Sequence, residues 1–347
     1  MTTPLVDLYS DTQTRPTAAM RDAMARAEVG DEQRREDPTV LELERRVAEL
    51  LGHEAAVFLP SGTMCNEIAI RLHIRPGGDE LLIGRETHPL VAEAGGPAAL
   101  SGAVITVLDG DAGRFDAATL AAAIEAHPAA DRYSPNPRLV CVEQPTNLWG
   151  GRVWPLAQIE AVLDVARGHG LKTHLDGARL LNATTASGDA PADVARGFDS
   201  AWLDFTKGLG APVGAVLTGS QELIDGAWRW KQMLGGAMRQ AGIVAAGGLH
   251  ALDHHVERLA DDHARARRLA QGLAELPGVT LDPATVETNI VVFGHADARG
   301  FAARLEAEHG VRMGALKAGT VRAVTHLDVD DDGIDRALAA ARAVLAG

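Results

Sequence analysis

The stretch Ser200-Ala201-Trp202-Leu203-Asp204-Phe205-Thr206-Lys207-Gly208-Leu209-Gly210 follows a second one of the same design, His174-Leu175-Asp176-Gly177-Ala178-Arg179. Each half reads as an apolar buried strand that stops abruptly, one at an aspartate and the next at a lysine beside glycines. In an open parallel sheet, ligands bind beyond the carboxyl ends of the strands, so the two side chains converge on one crevice. A lysine desolvated there is a usable amine near neutral pH, and an aldehyde cofactor traps it as a Schiff base. An aspartate facing that cofactor keeps a pyridine nitrogen protonated, which turns the ring into an electron sink. The pair points to pyridoxal 5'-phosphate. Taken singly, Lys207 reads as a solvated surface residue and Asp176 as a turn former; their joint placement gives them chemistry.

A phosphate site lies upstream. Pro60-Ser61-Gly62-Thr63-Met64-Cys65-Asn66 follows an apolar run and opens a helix. Free amides at a helix start, hydroxyls and a close-approach glycine make an anion cradle, although a plain helix cap has the same composition. The segment matches neither a Walker A loop nor a dinucleotide fingerprint, so one phosphate on a small cofactor suits it best. Glu86-Thr87-His88-Pro89 also follows a strand, and His88 there could stack on a pyridine ring, move protons, or only fill the core. His174, inside a strand, reads as structural. Arg179 projects near Asp176. Arg322, in Thr320-Val321-Arg322-Ala323-Val324-Thr325-His326, interrupts an apolar strand and needs an anion, either a structural carboxylate or the α-carboxylate of a substrate. His250 and His254 have the i,i+4 spacing of a metal pair but no evident third ligand, so no metal is assigned.

Composition narrows the class. A chain of 347 residues holds one large core with room for a smaller second domain. The net charge of -14 argues against nucleic acid and anionic membrane as partners. Two cysteines, Cys65 and Cys141, fit a reducing cytoplasm without a disulfide framework. No signal peptide and no membrane-spanning run is visible, so the expected location is cytoplasmic.

Alanine-rich amphipathic segments alternate with short apolar runs, the pattern of βα units covering a parallel sheet. Expected strands cover 55–59, 80–84, 104–108, 139–143, 172–176, 201–205 and 213–218. Expected helices cover 38–51, 63–72, 115–126, 156–169 and 220–230. A long helical region from 240 to 276 leads to a small α+β unit with strands at 289–293 and 321–325 and a helix from 332. This gives a large domain over 1–255, whose first 35 residues form an arm with one helix near 18–27, and a small domain over 256–347. The boundary is placed inside a helix, and the arm over the site or a neighbouring subunit.

With these residues in place, the chain resembles the low-specificity L-threonine aldolase family, pyridoxal-phosphate enzymes of the aspartate-aminotransferase fold (fold type I). That fold implies a mainly parallel seven-stranded sheet with a smaller C-terminal α+β domain. The resemblance runs over almost the whole length, from Asp7-Leu8-Tyr9-Ser10-Asp11-Thr12 and Glu36-Asp37-Pro38-Thr39-Val40 through Glu93-Ala94-Gly95-Gly96 to Gly235-Gly236-Ala237-Met238-Arg239-Gln240 and Val324-Thr325-His326-Leu327-Asp328. It implies that Lys207 bonds the cofactor aldehyde, Asp176 pairs with the pyridine nitrogen and His88 stacks on the ring. Ser61, Gly62 and Thr63 would hold the phosphate. Ser10, Arg179 and Arg322 would bind the substrate carboxylate. Arg239 would reach the cofactor region of an adjacent subunit, which implies a homodimer or homotetramer with shared sites. The family reaction cleaves a β-hydroxy-α-amino acid of the L series into glycine and an aldehyde.

Three positions depart from the family pattern. Glu143-Gln144-Pro145-Thr146-Asn147 puts Thr146 where a histidine near the substrate hydroxyl is expected. A positioned base contributes roughly 10²–10⁴-fold, so His88, a water or a neighbouring-subunit base has to substitute. Arg34 replaces an expected tyrosine of the arm, and Ala92 an expected aromatic residue. Both changes suggest a pocket shaped for a larger or more acidic aldehyde portion. Two other readings stand beside aldol cleavage: a β-eliminating or deaminating lyase, which Thr146 makes more credible, and a non-catalytic scaffold, which Lys207, Asp176, Arg179 and Arg322 argue against.

Overall fold

Period-two alternation in the apolar runs builds the large sheet. The computed structural model describes residues 5–127 and 131–346. A short strand, β1 (Val6–Asp7), precedes the seven strands of that sheet. These are β2 (Ala55–Leu59), β3 (Asp79–Gly84), β4 (Val104–Leu108) and β5 (Asn136–Glu143), followed by β6 (Lys172–Gly177), β7 (Ser200–Asp204) and β8 (Ala215–Gly219). They lie in the order β2-β8-β7-β6-β5-β3-β4, and β8 alone runs against its neighbours, so the sheet is mainly parallel.

Both faces are buried. Leu82, Val140, Val142, Leu175, Leu203 and Val216 pack against the helices Pro38–Leu51 and Leu156–Gly168. Their sequence neighbours turn the other way: Trp202 and Leu217 meet the helices Gly62–His73 and Gln221–Met233, while Leu81, Ile83, Leu139 and Cys141 join Ile70 and Ile74. This two-sided cover is what a parallel sheet requires. Chain order reverses between β3 and β5, since β4 lies outside β3 while β5, β6 and β7 step the other way. The crevice beyond Gly84 and Glu143 is therefore the topological switch point, where ligands bind in such sheets.

The C-terminal unit has its own core and an antiparallel four-stranded sheet. Its strands are β9 (Val279–Thr280), β10 (Ile290–His295), β12 (Gly314–Lys317) and β13 (Thr320–Val324), with β11 (Val311–Arg312) set apart. Strand β11 pairs in parallel with β1, and Val6 and Leu8 pack into this core. The start of the arm thus belongs structurally to the small unit, not to the large one as expected. The expected long helix is two helices, Gly242–His254 and Leu259–Ala274, and the second reaches both cores: Leu259 packs in the large one and Ala266, Leu269, Ala270 and Leu273 in the small one.

Candidate active site

The end of β7 carries the lysine. Asp204 closes the strand, and its carboxylate accepts from the Thr206 amide at 3.2 Å and hydroxyl at 2.9 Å. The same carboxylate contacts the Lys207 ammonium, which is only 18% exposed. The arm fixes the backbone here: Thr14 Oγ1 donates to the Lys207 carbonyl at 2.9 Å. Lys207 opens into a cavity of about 520 Å³. Ser61, Gly62, Thr63 and His88 line it, as do Ser10, Arg179 and Arg322 from three other segments. Three larger hollows among the described residues, of about 560, 640 and 780 Å³, lie elsewhere and gather none of these residues.

Asp176, fully buried at the end of β6, sits beside this cavity on a fixed hydrogen-bond network. Its Oδ2 accepts from Asn66 Nδ2 at 2.9 Å and its Oδ1 from the Ala178 amide at 3.1 Å. Asn66 is oriented in turn by Trp202 Nε1, which donates to its Oδ1 at 2.7 Å, and by His174 Nε2 at 3.1 Å. His174 leans on the Ser200 hydroxyl at 2.8 Å, which also meets His73. Burial raises the Asp176 carboxyl, and the Asn66 hydrogen bond opposes the rise. His174 is therefore structural, as expected: it sets the amide that holds the aspartate.

The two arginines differ sharply. Arg179 is clamped by Asp11, whose carboxyl burial would raise but which the Arg179 charge holds well below the usual range. Arg322 reaches the cavity from β13 and donates to Asn147 Oδ1 at 3.1 Å and to the Tyr9 carbonyl at 3.4 Å. It has no carboxylate partner among the described residues, and its Nε is buried with no acceptor. Burial, then the Arg179 charge, lower its affinity for its proton. An anion belongs there.

His88 and Glu143 meet across the switch point. The His88 amide donates to Glu143 Oε1, and the Asn147 amide to Oε2, both at 3.1 Å. Burial, reinforced by Asp176, pushes the Glu143 carboxyl up to about 7. His88 Nδ1 lies 2.7 Å from Glu93 Oε1, a hydrogen bond that raises the ring above its ordinary value against the cost of burial.

Pyridoxal phosphate fits this donor set. Gly62 and Thr63 lead a helix whose cap, Ser61, accepts from the Met64 amide at 3.2 Å, leaving first-turn amides beside the cavity. A Cβ on Gly62 would lie 2.2 Å from the Trp202 ring, so only glycine brings the helix start this close. Asp176 is a buried carboxyl held by an amide and a backbone N–H, a suitable counter-charge for a protonated pyridine.

A family model described as "Beta-eliminating lyase" matches residues 7–296. A low-specificity L-threonine aldolase of Arabidopsis thaliana is 39% identical over 92% of this chain and 91% of its own. The chain belongs to the low-specificity L-threonine aldolase family. A threonine aldolase structure from Leishmania major superposes with a TM-score of 0.84 over 98% of this chain and 99% of that one, at 21% identity. An aspartate aminotransferase from Rhizobium meliloti gives 0.70 over 99% and 92%, at 16% identity, so the architecture is the expected fold type I.

Against the family pattern, three expected residues stand outside this chain's cavity. Thr146 is buried, and its hydroxyl is directed at the Arg152 carbonyl, 3.4 Å away, while Asn147 takes the wall position. The cause is local: Thr146 and Arg152 form a β-bridge that draws the threonine into the loop. Arg34 is exposed and pairs with Glu36 at 3.3 Å; Arg239 is exposed and pairs with Asp31 at 2.9 Å. Ala92 does line the cavity. Sequence reading missed Asp11, Asn66, Glu93, Asn147 and Asp204 as parts of the site. A polar Asn66-Glu67 pair set between Met64-Cys65 and Ile68-Ala69-Ile70 of the same helix was the available signal for Asn66.

Proposed function

We propose that this protein cleaves β-hydroxy-α-amino acids of the L series, threonine and allo-threonine among them, into glycine and an aldehyde. The observation that carries the reading is Arg322: a buried guanidinium with a free Nε beside the Lys207 amine and a phosphate cradle. The amino-acid carboxylate binds Arg322, with Ser10 at the same wall. Ser61, Gly62 and Thr63 would hold the cofactor phosphate, Lys207 would bond its aldehyde, and Asp176 would pair with its ring nitrogen. When bound, pyridoxal phosphate supplies an electron sink for the breaking Cα–Cβ bond. His88, anchored through Nδ1 by Glu93, accepts the β-hydroxyl proton at Nε2 in place of a histidine at position 146. The Lys207 amine, once free of the cofactor, would return a proton at Cα.

Arg34 and Arg239 are assigned to the site of a second copy. They sit on adjoining segments, since the Glu32 amide donates to the Arg239 carbonyl at 2.9 Å. A proton NMR time course with pyridoxal phosphate and L-threonine tests the reaction. Glycine and acetaldehyde forming together support the aldolase; 2-oxobutyrate forming instead supports the lyase. Lys207→Ala should abolish both product and the visible absorbance of bound cofactor.

A further inference from the structure

Behind His88 the protein buries two carboxyl groups against each other. Glu67 lies in the helix Gly62–His73 and Glu93 on the loop after Ala92, both almost inaccessible. The Glu67 carboxyl lies close enough to the Glu93 carboxyl for Glu93 to raise it. Among the described residues no hydrogen-bond donor reaches either Glu67 oxygen or Glu93 Oε2, so three buried carboxyl oxygens stand without a partner unless one of the two acids keeps its proton. Gly96 makes the room: a Cβ there would stand 2.0 Å from Glu67 Oε1. Two apposed carboxylates without water are strongly unfavourable, and one proton held between them removes the conflict. The remaining oxygen of Glu93 is already committed. Its Oε1 accepts from Asn66 Nδ2 at 2.7 Å and meets His88 Nδ1 at the same distance.

We propose that Glu67 is a positioning residue for His88: it holds a proton against Glu93 and thereby sets how strongly Glu93 draws a proton onto the His88 ring. With Glu67 neutral, its O–H donates to Glu93 Oε2 and disperses the charge that the imidazole sees. When the proton leaves to solvent, two negative charges bear on His88 through one hydrogen bond.

The surroundings leave Glu67 few other partners. Burial, then Glu93 by hydrogen bond and by charge, push its carboxyl up to about 8. The short helix Gly96–Ser101 packed against it carries no charged side chain. Arg71, one turn further along, donates to the Ile74 carbonyl at 3.2 Å and lies over the Trp230 ring. The helix Gln221–Met233, also packed on this one, presents Lys231, which is paired with Glu32. Around His88 the charged groups are Glu93, Asp176 from β6 and Glu143 from β5, with Lys207 and Asp204 across the cavity.

The inference rests on this geometry and holds whichever reaction the site performs. It is tested by NMR titration of the His88 ring in histidine-labelled, pyridoxal-phosphate-loaded protein, with His88→Asn to assign the resonance. The wild type should show the ring's own step and a second inflection near 8. Glu67→Gln keeps the shape and a donor to Glu93, and should remove only the second inflection. Glu67→Leu leaves Glu93 without its donor and should move the ring's own step upward by about one unit relative to Glu67→Gln. A single-step wild-type titration, a second inflection persisting in Glu67→Gln, or identical titrations of the two variants would overturn the proposal. If Glu67→Leu does not fold, the wild type and Glu67→Gln decide it alone.

Discussion

Arg179 donates Nε to Asp11 Oδ2 and Nη2 to Asp11 Oδ1, each at 2.7 Å, in a fork closed off from solvent. The pair joins the arm to the end of β6 and spends most of the Arg179 charge inside the protein. Arg322 has no such partner. Of the two guanidiniums at the cavity, only one is free to meet an anion.

Arg322→Ala should therefore cost about 100-fold in kcat/KM for an amino-acid substrate, or ~3 kcal/mol, most of it in KM. Arg322→Lys should recover little, because a point charge cannot reproduce the planar fork. Asp11→Asn should behave differently. It leaves Arg179 buried and uncompensated, at a cost of about 3–5 kcal/mol in stability. Steady-state kinetics on the first two variants and thermal melts on the third separate the roles. An Arg322→Ala enzyme with unchanged KM would place the carboxylate elsewhere.

Gly62→Ala tests the phosphate cradle. A methyl group there meets the Trp202 ring at 2.2 Å, and overpacking of this kind costs about 1–3 kcal/mol. The helix start must back away from the cavity, so pyridoxal phosphate should bind at least about tenfold more weakly while the fold survives. Absorbance titration with the cofactor gives the affinity, and Trp202→Leu in the same chain should restore part of it. Unaltered affinity in Gly62→Ala would remove this helix start from the phosphate site.

Much of this arrangement was legible in the sequence because it is written in short-range contrasts. Apolar strands ending at Asp176 and at Lys207 mark the catalytic edge of the sheet, and a hydroxyl-glycine helix start marks the anion site. Burial on both faces explains why those strands read as continuous apolar runs. What stayed hidden depends on partners far apart in the chain. Nothing near Asp11 announces that it will neutralise Arg179, and nothing near Asn66 shows that it joins Asp176 to Glu93. Thr146 was misplaced for a related reason: its β-bridge to Arg152 is set by the loop's return path.

That displacement makes a direct prediction. Thr146→Val should change kcat with L-threonine by less than about threefold, because its hydroxyl serves the Arg152 carbonyl and not the substrate. Asn147→Ala should be far more damaging, since its Oδ1 accepts from both Arg179, at 3.2 Å, and Arg322, at 3.1 Å. A large kcat loss in Thr146→Val would return Thr146 to the reaction.

Acid should weaken the fold through two buried histidines. Burial, then the neighbouring His73, lower His174 to about 3; burial lowers His73 to about 4. Both stay neutral in the folded state while the unfolded chain takes up protons below its ordinary value of 6.5. The unfolded state then binds more protons, so stability is full above 6.5 and declines as pH falls toward 3–4. Each histidine contributes a slope of about 1.4 kcal/mol per pH unit inside that window. Urea unfolding of His174→Gln should show a shallower dependence than the wild type between those limits, whatever its absolute stability. Equal slopes would mean that His174 is charged in the native protein.

Ala92 decides how much aldehyde the cavity can accept. It lines the same wall as His88, and its methyl group leaves open the volume that an aromatic side chain would fill. Ala92→Phe should therefore penalise long side chains selectively. For β-phenylserine, overlap with the new ring costs about 1–3 kcal/mol, which lowers kcat/KM by about 5- to 150-fold. Threonine carries only a methyl group at that end and should change by less than about threefold. The ratio of the two specificity constants is the readout, because a general loss of folding or of cofactor lowers both and leaves it fixed. A constant ratio would show that the aldehyde portion points away from Ala92, toward the side where a second copy would bring Arg34 and Arg239.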